Sequence, residues 1–277
     1  MAVRGAHGVG VVAFPRLHLF ELEDLPWFPS AIRDLGTDYI QFMSSRLGLQ
    51  RPMVEPLERT LRVTQETRIL DLCSGGGGPL LDLVDVLNAR GVEVRATLTD
   101  RFPNLPAFRA AAERSGGAIS YLAEPVDVLA VPRDLGGLRT MFNAFHHFRP
   151  RDAGAILADA VAAGQPIAVF EIPQRSLVHL LTFLVTPLVV AVATPFIRPF
   201  RWGRLLWTYL IPIVPIYCLW DGLVSHLRAY EPDELATFAH EVGTDNYDWD
   251  VDRQAIPSTH GSVTHLIGIP RLVGTPS

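Results

Sequence analysis

Hydrophobic positions change period repeatedly after Arg68, and each change predicts an element. Arg68–Leu72 is a short apolar run, a first strand. Over 79–90, Leu80, Leu83, Val84 and Leu87 share one helical face, with Pro79 in the first turn and Gly91 at the end. Val92, Val94, Ala96 and Leu98 then alternate at period two, a second strand over 92–100. "NLPAFRAAAERSG" predicts a helix, while "AISYLAEP", "RTMFNAF" and "PIAVFEIP" predict three more strands. "RDAGAILADAVAAG" is the helix before the last of these. Strands separated largely by helices imply a parallel, doubly wound α/β sheet.

The pattern breaks off after the fifth strand and then resumes. From Ser176 to Ile197 no residue carries a formal charge if His179 is neutral, and a second apolar run covers Leu205 to Trp220. Beyond it, "EPDELATFAHEVG" predicts a helix with an acidic first turn, and "DNYDWDVDRQAIP" and "SVTHLIGIP" predict a closing β-hairpin. Upstream, "LEDLPWFPSAIRDLGTDYIQFMSSRLGL" predicts short helices that begin near Pro29 or Ser30, and "VEPLERTLRV" another amphipathic helix. The expected organisation is a helical cap over 1–53, a core over 54–175, an apolar helical insert over 176–228, and the core's last helix and hairpin over 229–277.

As a helix the first apolar run would span about 33 Å, close to the roughly 30 Å apolar layer of a bilayer. Pro187, Pro195, Pro212 and Pro215 count against a span, and arginines on both flanks give no orientation. Three readings remain open. The insert is a lid lining a pocket for an apolar substrate, a hairpin resting in a membrane interface with Trp202, Trp207 and Trp220 at headgroup level, or a homodimer interface.

Composition narrows the function. The net charge of −5 argues against a nucleic-acid-binding face. All 24 basic residues are arginine, which excludes lysine-based Schiff-base chemistry. Two cysteines, Cys73 and Cys218, make neither a disulfide framework nor a four-cysteine zinc site, and no motif requires a metal. The weakly apolar start "MAVRGAHGVGVVAFPRL" predicts ordinary chain rather than a signal peptide. The expected location is cytoplasmic, with membrane association left open by the insert.

Chemistry concentrates at predicted strand ends. "ILDLCSGGGGP" places four glycines between the first strand and its helix, where missing side chains let a ligand approach the backbone. Gly75 and Gly77 match the first two positions of a dinucleotide fingerprint, but the third falls on Leu80, which suits a nucleoside without a pyrophosphate. Asp100 ends the second strand, where an acid can accept from ribose hydroxyls. Asp127 follows the third strand and "FNAFHHF" the fourth.

In that order and spacing, "ILDLCSGGGGP", "LTDRFPN", the turn at Asp127 and "FNAFHHF" resemble class I S-adenosylmethionine-dependent methyltransferases, over about 54–175 and 229–270. The resemblance implies a Rossmann-like seven-stranded sheet with an antiparallel last strand and S-adenosyl-L-methionine as cofactor, leaving as S-adenosyl-L-homocysteine. It further implies that Ser74, Gly75, Gly76 and Gly77 hold the methionine part, with Asp71 near its amino group. Asp100 would take the ribose, Arg101 or Phe102 flank the adenine, Asp127 and Val128 meet its edge, and Asn143 and Ala144 lie beside the methionine moiety. Thr37 and Tyr39 of the cap are further candidate contacts.

The expected reaction is methyl transfer to oxygen or carbon of a small lipophilic metabolite. The alternatives are a membrane-associated enzyme acting on a lipid and a non-catalytic cofactor-binding scaffold. Alignment and desolvation do most of the work on so electrophilic a methyl group. Candidate bases are His146 and His147, then Glu171. Glu23, Asp24 and Trp27 in the cap, and Asp221 and His226 at the end of the insert, are candidate acceptor contacts.

Overall fold

The computed structural model describes residues 2–3, 14–198, 200–243 and 246–271. Most of the N-terminal run discussed above, Asp245 of the predicted hairpin and the last six residues lie outside them. The seven expected strands are β1 (Arg68–Asp71), β2 (Arg95–Leu98), β3 (Ile119–Tyr121), β4 (Leu138–Phe142), β5 (Ile167–Glu171), β6 (Tyr247–Ala255) and β7 (Ser262–Pro270). They lie in the order β3-β2-β1-β4-β5-β7-β6, parallel except for β7, which is antiparallel to both neighbours. A two-residue edge strand, Ala2–Val3, pairs with β6 and brings the sheet to eight strands.

Helices cover both faces because strand residues alternate between two cores. Ile69, Phe142, Ala168 and Phe170 face one core, shared with α2 (Arg51–Thr64), α3 (Leu80–Ala89) and α4 (Leu105–Arg114). Leu70, Met141, Ile167 and Val169 face the other, shared with α5 (Pro150–Ala162). The predicted second strand is cut to Arg95–Leu98 because a ladder is only as long as its partner. β1 begins at Arg68, which pairs with Arg95, so Val92 and Val94 are buried without being in the ladder.

The predicted short helices of the cap are one helix, α1 (Ser30–Leu47), closed by left-handed Gly48. The helix α2 begins at Arg51, ahead of the expected boundary at 54. The insert is four pieces, α6 (Leu177–Phe183), α7 (Thr186–Ala193), α8 (Trp202–Leu205) with a π-helical extension Leu206–Leu210, and α9 (Ile213–Arg228). The prolines set these breaks: Pro187 sits in the first turn of α7, Pro195 just past its end, and Pro212 and Pro215 flank the start of α9. The helix α10 (Pro232–Val242) then returns the chain to the sheet behind a reciprocal cap between Glu231 and Glu234.

Cap and insert share a third core of Phe28, Ile32, Leu35, Val190, Val214, Tyr217 and Cys218. Gly36 permits the approach of α1 to α9, since a Cβ there would stand 2.2 Å from the Tyr217 ring. Asp221 of α9 ties the cap down further, accepting from Leu22 N at 2.8 Å and Glu23 N at 3.0 Å.

Candidate active site

The sheet reverses direction of winding at β1, which pairs with β2 on one side and β4 on the other. A crevice at such a switch point, outside the strands' C-terminal ends, is the usual ligand position in open α/β sheets. The glycine turn lies there. Gly75, Gly77 and Gly78 have φ of 55°, 94° and 47°, which is why glycine fills them. Cys73, at 58°, carries a side chain in the same left-handed region.

Both oxygens of Asp100 pin this turn. Oδ2 accepts from Gly75 N at 2.8 Å and Oδ1 from Phe102 N at 2.7 Å. Ser74 Oγ donates to the Asp71 carbonyl at 3.1 Å and accepts from Thr99 N at 3.1 Å. Asp71 itself is buried, and its carboxylate accepts from Thr140 Oγ1 at 2.6 Å. Burial pushes its pKa up to about 7, against the pull of the Ser74 and Thr140 hydroxyls. Thr37 of α1 covers the turn, 3.4 Å from where a Cβ on Gly76 would be.

Other expected cofactor residues surround the same edge. Phe102 is exposed, with the guanidinium of Arg33 4.9 Å and that of Arg101 5.9 Å from its ring. Asp127 caps a short 3-10 turn, accepting from Leu129 N at 3.0 Å. Asn143 has φ of 53°, and its Oδ1 accepts from Ile172 N at 2.8 Å. Val128 and Ala144 pack into the core, so their backbone is what they offer a ligand. Tyr39 packs beside the cap–insert cluster, and burial raises its phenol pKa.

The two histidines lie side by side rather than pointing apart, their ring centroids 4.4 Å from each other, because the chain takes a 3-10 turn over Phe145–His147. His146 is buried and its Nδ1 lies 2.5 Å from Glu171 Oε2, while Glu171 Oε1 accepts from Phe145 N at 2.8 Å. His146 Nε2 is buried without a hydrogen-bond partner among the described residues, and so is Glu21 Oε2. Nε2 is 3.9 Å from Glu21 Oε1, beyond hydrogen-bond reach. The neighbouring His147 has Nδ1 2.8 Å from Asp24 and 3.3 Å from Glu21, and Nε2 3.4 Å from Glu23. Burial would depress the His147 pKa, but Glu21, Asp24 and Glu23 outweigh it and raise it to about 10. Arg228 completes the charge balance, 2.7 Å from Asp24 and 3.3 Å from Glu21.

No local sequence signal marks Glu21, Arg228 or Arg16 as members of this cluster. Glu21 opens the acidic run that also holds Glu23 and Asp24, and only the fold brings it to the histidines. Arg16 donates to the carbonyls of His146 and Phe148, both at 2.9 Å, and its guanidinium lies 4.0 Å from the Tyr230 ring. Asp221 and His226 both lie on α9. Asp221 serves backbone amides of the cap, with its pKa raised by burial to about 8. His226 is buried beside Phe183 and His179, its Nδ1 2.8 Å from the Gly222 carbonyl, and burial lowers its pKa to about 4. Trp27 is largely exposed, apart from the histidine cluster.

No protein-family model and no curated protein matches the sequence. Among solved structures, an O-methyltransferase family protein from Burkholderia thailandensis superposes with a TM-score of 0.46 at 15% identity, over 84% of this chain and 59% of that one. The apo methyltransferase SibL gives 0.47 at 16% identity, over 90% and 61%. The methyltransferase domain of bacterial CtHen1-C gives 0.47 at 14% identity, over 82% of this chain and 100% of that domain. The chain thus spans about three fifths of the first two. Its own topology is that of a Rossmann-like, doubly wound α/β sheet with one antiparallel strand.

Proposed function

We propose that this protein transfers a methyl group from S-adenosyl-L-methionine to oxygen or carbon of a small lipophilic acceptor. One observation carries the reading: a side-chain-free turn at the switch point shares its sheet edge with a buried His146–Glu171 pair whose outer nitrogen is unsatisfied. The cofactor fits the residues present. The turn offers backbone without Cβ atoms, and Asp71 is a buried acid suited to an ammonium group. Each Asp100 oxygen accepts one backbone bond and keeps capacity for a ribose hydroxyl. When bound, S-adenosyl-L-methionine supplies the electrophilic methyl carbon.

The chain's own residues orient and deprotonate. Nδ1–H of His146 donates to Glu171, which fixes the tautomer and leaves the Nε2 lone pair as proton acceptor. Glu171 then stabilises the imidazolium formed when Nε2 takes the acceptor's proton. Phe145 N holds the other oxygen of Glu171, so the pair is rigid before substrate arrives. His146, Glu171 and Glu21 are all buried, so water is largely excluded. The apolar third core of cap and insert reaches this cluster through Tyr217, whose Oη donates to Glu23 Oε2 at 3.3 Å, which supports an apolar acceptor.

The test is a calorimetric titration with S-adenosyl-L-homocysteine, followed by methyl-label transfer to a panel of apolar hydroxylated compounds. Saturable binding with turnover on one class supports the proposal. Binding without transfer to any acceptor favours a scaffold role, and absence of binding removes the reading.

A further inference from the structure

The insert offers a separate inference, which goes beyond the methyl-transfer reading and stands without it. No single helix among the described residues is long and apolar enough to cross a membrane. Yet α6 and α7 are apolar on both faces. Thr186, Val190 and Ala193 face inward, while Leu177, Leu181, Leu184, Leu188 and Val192 recur at spacings of three or four on the outside. A helix that is hydrophobic all round belongs inside a larger core or in lipid. The outer face has neither, with Leu188 67% exposed. The π-helical stretch lies alongside, since Tyr209 Oη donates to the Ala191 carbonyl at 2.6 Å, and it adds Leu210 at 77% exposure. So large an exposed apolar surface marks an interaction site.

Charge identifies the occupant. Of the four arginines in segment 176–228, Arg204 and Arg228 are buried in ion pairs with Asp38 and with Asp24 and Glu21, so Arg198 and Arg201 are the two that reach the surface. Arg198 is exposed and Arg201 partly so in the link from α7 to α8, next to Phe200 and to Trp202, which is 78% exposed. A two-fold dimer through this face would set these surface arginines against those of its own copy. We infer that the outer face of α6, α7 and the π-helical stretch docks on an anionic bilayer surface, apolar residues in the acyl boundary and Arg198 and Arg201 among the headgroups.

Vesicle flotation of the full chain tests this, comparing phosphatidylcholine–phosphatidylserine vesicles with pure phosphatidylcholine. The wild type should float with the anionic vesicles. Leu181→Glu with Leu188→Glu should abolish flotation while leaving the melting temperature near wild type, because both side chains are exposed. Arg198→Gln with Arg201→Gln should weaken partition to anionic vesicles on the order of tenfold. Three results would overturn the inference: no flotation with either vesicle, flotation that survives the double glutamate variant, or a lipid-free dimer in light scattering that this variant dissolves. The last would assign the face to a second copy.

Discussion

His146 Nδ1 lies 2.5 Å from Glu171 Oε2, joining the turn after β4 to the end of β5. The contact sets which imidazole nitrogen holds a proton, and so which one can accept. On the proposed mechanism His146→Ala lowers kcat on the order of a hundredfold, the low end for a general base, with cofactor affinity unchanged. Glu171→Gln keeps an acceptor for Phe145 N but loses the charge, so a smaller fall in kcat is expected. Equal cofactor titrations with unequal single-turnover rates would bear this out. Wild-type rates in both variants would take the pair out of the chemistry.

The glycine turn separates backbone strain from ligand contact. Gly77→Ala forces a side chain into φ of 94° and should cost about 1–3 kcal/mol in denaturant unfolding. Gly76 has no such conformation, and its Cβ would only touch Thr37, so Gly76→Ala should leave stability nearly unchanged. A Gly77→Ala protein as stable as wild type would show that the turn is adaptable.

Asp71 links cofactor binding to protons. Its pKa stands at about 7 in the folded chain. An ammonium group beside it favours the charged form and lowers that value. Binding below about pH 7 should therefore release protons, seen as a binding enthalpy that varies with the ionisation enthalpy of the buffer. The dependence should vanish in Asp71→Asn. Tight binding with no buffer dependence in the wild type would dissociate Asp71 from the amino group.

His147 gives the cluster its own pH signature. Its folded pKa of about 10 lies above the ordinary 6.5, so the native state keeps its proton where the unfolded chain has lost it. The stabilisation is complete below about 6.5 and declines as pH rises through about 10. Unfolding free energy should fall with rising pH across that window, and His147→Gln should flatten the curve. A wild type with constant stability there would contradict the charge pairing with Glu21, Asp24 and Glu23.

The doubly wound sheet was legible because each core strand and helix writes its own period. The glycine turn and Asp100 were equally so, since both are local. The spacing suggests a ribose partner for Asp100; the bonds that the fold gives it, to Gly75 N and Phe102 N, are not written in that spacing. The histidine cluster was half visible. "FHHF" sits at a strand end in the sequence, but Glu21 and Arg228 reach it from opposite ends of the chain through packing alone. The prolines of the insert marked its breaks correctly, yet they carry no information about which apolar face ends up outside.

The grip of Asp221 on the amides of Leu22 and Glu23 spans 199 and 198 positions of sequence. With Gly36 against Tyr217, it makes the leading helix and the late excursion one mechanical unit. Neither can swing aside without carrying the other, and shortening the chain at either place would uncover the oily surface they share. A change that loosens one should therefore loosen the other, and these two distant parts of the gene product are expected to unfold together.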